Sequence, residues 1–403
     1  MIACLGLGKM GAALAERLVA AGHDVCGFDI SPEARARFTR AGGRVATSPV
    51  AASAAADAVV LCLPDAAAME EVVLEVLGAA QPVPALWVDC TSSLPTVTRR
   101  LGERLRSYGG VLVDAPVSGG VAGARAGALT AMVGGEPADR ERARPLLDSF
   151  AARVLAAGPL GCGHAVKAIN NALSSASLVA TAEIVVAGRA LGYPLAGTID
   201  RVNRSIARSQ NSEVKYPRDV LPGRYASGFT IALMAKDVAT ACALAQDAPV
   251  PLTALQRALW RAAGAELGPG EDFTRVHELA ARWSGEQTGA PGGDPPARLC
   301  GALAGVLAIA ARELLALAGE IGLDRAAALA ILNAGSGRSE FTRLAEAPNE
   351  TAGRTIADAL AAIDDLLAAA DVAAPVSRLA AELLRGAARE LGAGRELAAL
   401  VAP

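Results

Sequence analysis

Residues able to do chemistry gather at two places in this 403-residue chain. One is a face of the helical segment 165–191, where Lys167, Asn170, Asn171 and Ser174 fall at i, i+3, i+4 and i+7 of an otherwise apolar rod. A cation and two amides are costly to bury without partners. The stripe is short and the next turns revert to apolar residues, so it reads as the wall of a cleft rather than as the solvent face of an amphipathic helix. The other place is the start of the chain, where the apolar run Ile2–Leu5 meets Gly6-Leu7-Gly8-Lys9-Met10-Gly11 and then a helical pattern. This order suits a dinucleotide pyrophosphate. Gly6 permits the tight turn, Gly8 lets backbone approach the phosphates, Gly11 lets helix pack on strand, and the helix N-terminus faces the anion.

A second apolar run, 23–28, ends in Asp29, 18 positions past Gly11. A carboxylate there accepts hydrogen bonds from the adenosine ribose and repels a 2′-phosphate, which favours NAD over NADP. The competing reading makes Asp29 a cap leading into Ser31-Pro32-Glu33, and the neighbouring Arg35 and Arg37 keep NADP open.

The elements that must hold these residues follow from the periodicity. Apolar runs at Ile2–Leu5, Asp24–Phe28, Ala58–Leu63, Leu86–Asp89, Val111–Asp114 and Thr130–Val133 alternate with helical segments, which predicts a parallel sheet covered on both faces. Turn-forming or polar residues follow several of these strands: Pro64-Asp65, Cys90-Thr91-Ser92, and Ala115 to Gly120. All belong on the carboxyl edge of the sheet, where ligands bind. Past Gly163 the chain becomes long Ala/Leu/Val helices, broken by the Gly- and Pro-rich stretch 285–296. The expected fold is an α/β Rossmann-type domain (1–160), an all-α domain (161–284), a linker (285–296) and a second all-α domain (297–403).

That second all-α domain reads as a degenerate duplication of the first. Ala182-Glu183-Ile184 is echoed by Arg312-Glu313-Leu314 and Asn203 by Asn333, all 130 positions on. Thr230-Ile231-Ala232 is echoed by Thr355-Ile356-Ala357, and Val250-Pro251-Leu252 by Ala374-Pro375-Val376. The second copy keeps apolar positions and loses the chemistry. Ala297 stands where Lys167 would, and no lysine occurs from 297 to the end.

Composition narrows the class. The chain is 52% hydrophobic and 3% aromatic with a net charge of −3, which gives no electrostatic case for nucleic acid or an anionic membrane. The uncharged stretch Leu299–Ala311 is too short to span a bilayer. Seven scattered cysteines without CxxC pairs read as buried thiols of a reducing cytoplasm, and three distant histidines give no metal site. A strand starting at residue 2 leaves no room for a targeting peptide.

Taken together the motifs resemble the β-hydroxyacid dehydrogenase family, which includes 3-hydroxyisobutyrate and tartronate semialdehyde dehydrogenases. The opening glycine motif matches, as does Asp114-Ala115-Pro116-Val117-Ser118-Gly119-Gly120 continuing through Gly123, Ala126 and Gly127. Gly161-x-Gly163-x-x-x-Lys167-x-x-Asn170-Asn171 and Met234-Ala235-Lys236-Asp237-Val238 complete the set, over roughly 1–270. The resemblance implies that Lys167 is the catalytic acid/base and that Asn171, with Asn170, holds substrate. It also implies that Ser118, Gly119 and Gly120 cradle the substrate carboxylate, that Leu63, Pro64 and Ser92 contact the cofactor, and that Lys236 closes over the nicotinamide. Departures are Ala68 after the Leu-Pro pair, the pair Thr91-Ser92, and the loss of glycines after Asn203, which Gly335-Ser336-Gly337 keeps after Asn333. A lysine on an apolar helix suits the role, because hydride transfer requires one group to exchange a proton with the hydroxyl and burial lowers an ammonium pKa.

The expected activity is hydride transfer between NAD and a small β-hydroxyacid. Alternatives are an imine reductase on the same fold and a catalytically silent NAD-binding scaffold. Family dimers pack their helical domains about a two-fold axis. The fused copy is therefore expected to imitate that contact within one chain, as the doubled helical region of 6-phosphogluconate dehydrogenases does, with homodimer formation left open.

Overall fold

The structure, a computed structural model, describes residues 1–79, 82–246, 248–285, 297–346 and 353–402. Apart from Gly285, the linker expected at 285–296 lies outside the described residues. Two compact units, 1–168 and 169–403, divide the chain, and the boundary falls inside the helix Cys162–Ala190.

The first unit is a nine-stranded sheet. Its strands are β1 (Ile2–Leu5), β2 (Val25–Phe28), β3 (Arg44–Val45), β4 (Ala58–Leu61), β5 (Leu86–Asp89), β6 (Val111–Asp114), β7 (Val117–Ser118), β8 (Leu129–Gly134) and β9 (Ala151–Gly158). They run β3-β2-β1-β4-β5-β6-β8-β7, with β9 paired to β8. From β3 to β6 every pairing is parallel, and apolar clusters cover both faces. The expectation of an all-parallel sheet fails at the far edge, where β8 runs antiparallel to β6 and β7. The chain turns back between β7 and β8 through residues 119–128, which hold only the short helix Gly120–Arg125, too little for a crossover. β9 escaped the sequence reading because Ala-Ala-Arg-Val-Leu-Ala-Ala-Gly carries few strand-forming residues and alternates poorly.

The second unit is helical. Among the described residues two helices, Cys162–Ala190, most of which lies in this unit, and Ala297–Glu320, are long and apolar enough to cross a bilayer. Both are enclosed by protein, so their hydrophobicity is that of core helices.

Two stretches of this unit, 169–285 and 297–402, here called its halves, make matching bonds at residues 124–130 positions apart. Glu183 accepts from the Val376 and Ser377 backbone N–H groups (2.8 Å each) and from the Ser377 hydroxyl (2.7 Å). Glu313 accepts from the Leu252 and Thr253 N–H groups (2.8 Å each) and from the Thr253 hydroxyl (2.6 Å). Each carboxylate therefore caps the first turn of a helix belonging to the other half, Pro375–Leu391 or Pro251–Leu267. Ser209 and Ser339, 130 positions apart, pair as an antiparallel bridge; Gln210 N–H donates to the Arg338 carbonyl and Glu340 N–H to the Arg208 carbonyl. Inside each half the same turn recurs. Asn203 donates to the Ser212 carbonyl and Asn333 to the Thr342 carbonyl, while Thr230 and Thr355 cap the helices Ile231–Leu244 and Ile356–Ala370.

Candidate functional site

The glycine turn follows β1 on the carboxyl edge of the sheet. Gly6 lies at φ +96°, and a Cβ there would strike the Cys62 carbonyl. A Cβ on Gly11 would strike the Gly6 carbonyl. Both glycines are required by the fold itself. Gly8 differs: its φ is −61°, and a Cβ there would meet nothing within 4 Å. Its bareness leaves an open cradle over the start of the helix Lys9–Ala20, whose N-cap has no side-chain partner and whose first turn has no acidic residue. Those N–H groups and the positive end of the helix dipole suit a pyrophosphate, so the residues present fit the dinucleotide.

Asp29 ends the neighbouring β2 and reaches back to this turn. One carboxylate oxygen accepts from the Leu7 N–H (2.7 Å) and the other from the Ser31 N–H (2.8 Å). It therefore caps Ser31 while standing beside the glycine loop. Arg35 donates to the Asp29 and Ile30 carbonyls and stacks on Phe28, and Arg37 reaches the Leu7 carbonyl. Leu63, Pro64, Ser92 and the turn at Ser118 follow β4, β5 and β6 on the same edge. The Leu63 N–H donates to Thr91 Oγ1 (3.1 Å), and the Thr91 N–H donates to Asp89 (2.9 Å), so the threonine of the departing pair is a structural tie. Gly119 (φ +130°) and Gly120 (φ +69°) give the Ser118 turn a backbone shape that side chains resist, and both are exposed.

The helix carrying Lys167 is fastened to this edge by Asp114, at the end of β6. Its carboxylate accepts from the Gly161 and His164 N–H groups at 2.8 Å each. Gly161 needs its φ of +93°, and a Cβ on Gly163 would strike the Met132 carbonyl, which explains both glycines ahead of the lysine. Beneath lies a group that sequence reasoning missed. His164 Nδ1 bonds Thr98 Oγ1 (2.7 Å) and its Nε2 stands 3.6 Å from Asp89, whose carboxyl is pushed up by burial. These residues brace the helix start. Lys167, one turn on, is 8% exposed.

In the second unit, Asn171 donates to Asp237 Oδ2 (2.5 Å), and the other Asp237 oxygen is 3.5 Å from Lys236 Nζ. Two residues expected at the site, Asn171 and Lys236, thus share one buried carboxylate. Asn170 is fully buried and bonds Asn171 and Ser336. Lys215 was missed. It donates to Ser174 Oγ (3.4 Å) and lies 4.4 Å above the Phe273 ring. Scarcity was the available signal: the chain has only four lysines, Lys9, Lys167, Lys215 and Lys236, and arginine carries every other basic side chain apart from three histidines. All seven cysteines are free, and burial pushes the Cys4 and Cys90 thiols far up. Among the described residues no cluster of three or more His, Cys, Asp or Glu side chains could hold a metal.

Comparison with known proteins bears on the same residues. Residues 1–158 match the NAD-binding domain of 6-phosphogluconate dehydrogenase, and 161–280 the NAD-binding domain of NADP-dependent 3-hydroxyisobutyrate dehydrogenase. The 3-hydroxyisobutyrate dehydrogenase of Pseudomonas aeruginosa is 35% identical over 291 residues, which is 69% of this chain and 97% of that protein. The chain belongs to the β-hydroxyacid dehydrogenase family. It is an NAD(P)-dependent dehydrogenase of the CH–OH class, with a Rossmann-type domain followed by helices. The solved structure of Mycobacterium tuberculosis 3-hydroxyisobutyrate dehydrogenase with L-serine is 32% identical and superposes with a TM-score of 0.65, covering 69% of this chain and 98% of that one. Plasmodium falciparum 6-phosphogluconate dehydrogenase is similar over 96% of this chain and 92% of its own, with a TM-score of 0.70 at 15% identity, a likeness of fold.

Proposed function

We propose that this dehydrogenase exchanges a hydride between NAD and a small β-hydroxyacid, with Lys167 as the general acid/base. The observation that carries the reading is a lysine, one of four in the chain, nearly buried one turn from a helix start that Asp114 ties to the ligand-binding edge of the sheet. A bound nicotinamide supplies the hydride acceptor. The amine of Lys167 takes the hydroxyl proton as the carbinol carbon is oxidised, and returns it in the reverse direction. Backbone N–H groups of the Ser118-Gly119-Gly120 turn hold the substrate carboxylate. Asn171 donates to the reacting end, and Asp237 orients it while keeping Lys236 near. Gly6, Leu7, Gly8, Lys9, Met10 and Gly11 line the pyrophosphate, with Leu63, Pro64 and Ser92 against the rest of the cofactor. NAD is preferred to NADP because Asp29 meets the ribose, and Arg35 and Arg37 are engaged with main-chain carbonyls.

Residues 297–403 are a degenerate copy of 161–284, and they stand where the helical domain of a dimer partner would. The reciprocal capping by Glu183 and Glu313 and the Ser209–Ser339 pairing support this, because reciprocity is what a two-fold relation imposes. The free cysteines fit a cytoplasmic enzyme.

The test is a panel of short β-hydroxyacids, L-serine and 3-hydroxyisobutyrate among them, with NAD and with NADP, read by formation of the reduced cofactor. Turnover of at least one acid is expected, faster with NAD. Lys167→Met should lower kcat by about 10²–10⁴-fold with NAD binding unchanged. A variant that keeps the wild-type rate overturns the assignment.

A further inference from the structure

The turn Gly335-Ser336-Gly337 belongs to the half that lost its chemistry, yet it meets the helix that kept it. Asn170 Oδ1 accepts from the Gly337 N–H (2.9 Å), and its Nδ2 donates to Ser336 Oγ and to Asn171 Oδ1 (2.9 Å each). A peptide N–H can only donate, so the atom of Asn170 facing Gly337 must be the oxygen. Its amide nitrogen is then left facing Ser336 and Asn171. Asn171 must answer with its own oxygen, which turns its NH₂ toward Asp237, a carboxylate that only accepts. The two asparagines are thereby held between a pure donor at one end and a pure acceptor at the other, and neither amide can flip without losing bonds at both neighbours.

The glycines make the approach possible. A Cβ on Gly335 would strike Asn170 Oδ1, and one on Gly337 would come within 2.8 Å of the Asn170 carbonyl and 3.1 Å of Leu173 Cβ. The corresponding turn of the first half reads Ser205-Ile206-Ala207, with no glycine. The residue corresponding to Asn170 in the second half is Cys300, which has no amide to hold. Glycine is thus kept in the turn that faces an asparagine and lost in its counterpart. With Asn170 fully buried and both its N–H groups engaged, its part is to orient Asn171 rather than to meet a ligand.

We propose that Ser336 and Gly337 are positioning residues for the reaction, setting the amide orientation of Asn171 through Asn170. This rests on the reading of Asn171 as a substrate-holding residue. The test uses the full chain with Ser336→Ala, Ser336→Thr and Gly337→Ala, each checked for folding by its Tm and for NAD affinity. Two readouts are taken: turnover of the best acid in the panel, and the side-chain amide signals of Asn171 in asparagine-selective ¹⁵N spectra, assigned with Asn171→Asp.

Ser336→Ala should lower kcat about 3–10-fold and Gly337→Ala about 10–100-fold, with NAD affinity unchanged. Ser336→Thr, which keeps the hydroxyl, should recover most of the Ser336→Ala loss. The Asn171 amide signals should shift in both Ala variants, although neither altered residue bonds Asn171 directly. Unshifted Asn171 signals overturn the proposal, as does a shift with wild-type kcat. If Gly337→Ala does not fold, the Ser336 pair decides alone. If the wild-type chain turns over no acid, the proposed function fails, and the Asn171 signals by themselves decide whether the orienting chain exists.

Discussion

Set side by side, the two halves of the helical unit show what a shared scaffold needs and what a site adds to it. Where the first half places Asn171, the second has Gly301, and a Cβ there would already be 3.0 Å from Ala362 and Arg354. Where the first half joins Ser175 to Gln256 and Trp260, the corresponding residues are Gly305, Ala380 and Leu384, and Leu384 lies against Gly305. Where one half has hydrogen-bonded polar groups, the other has small and apolar residues in close packing. The capping carboxylates, threonine N-caps and turn asparagines persist in both halves, because each closes backbone that any such helical half must close.

That contrast can be broken most forcefully at the exchanged carboxylates. Glu183→Ala leaves two N–H groups and one hydroxyl without their acceptor in a fully buried place, and should cost about 3 kcal/mol or more. Glu313→Ala removes the same pattern where water has better access, and should cost about 2 kcal/mol. Urea unfolding of the full chain measures both. If neither variant loses stability, the reciprocal caps do not hold the halves together.

A second test uses pH. Burial raises the Glu183 carboxyl from 4.5 to about 7, against hydrogen bonds that pull it down. Its protonation therefore favours the folded state. That contribution is full below pH 4.5 and is lost as pH rises through about 7. The stability of wild type relative to Glu183→Gln should fall by on the order of 3 kcal/mol between pH 4.5 and 8. A difference that stays flat shows the carboxyl to be ionised throughout.

The smallest effect sharpens the comparison from the idle side. Giving the first-half turn the Gly-Ser-Gly of its counterpart, at Ser205, Ile206 and Ala207, should leave turnover within about twofold. It should lower stability by roughly 1–2 kcal/mol through added chain freedom in the unfolded state and lost burial at Ala207. A larger fall in kcat would show that this turn also serves the site.

Much of this was legible because it is local. Strands β1, β2, β4, β5 and β6 are short, mostly apolar runs bounded by turn residues, and the glycine spacing marks the turn that follows β1. The echo of Glu183 at Glu313 survived as sequence because a cap needs one residue type. What was hidden depends on distance along the chain. Asp114 anchors a helix 47 and 50 residues on, and Asn170 meets Ser336 across 166 residues. No periodicity records such a pairing. β9 was hidden for a different reason, since its alanines fit helix and strand alike. Of the two readings of Asp29 the structure shows the cap, one oxygen accepting from the Ser31 N–H and the other from the Leu7 N–H of the glycine loop.

One consequence of the Asn170–Ser336 bond concerns dilution. In an assembly of separate chains, a group lent by a neighbour is lost once the protein falls below its association constant. Here lender and borrower are covalently joined, so the lent hydroxyl stays at a fixed effective concentration however thin the solution becomes. Specific activity should hold constant down to the lowest enzyme concentration an assay can read.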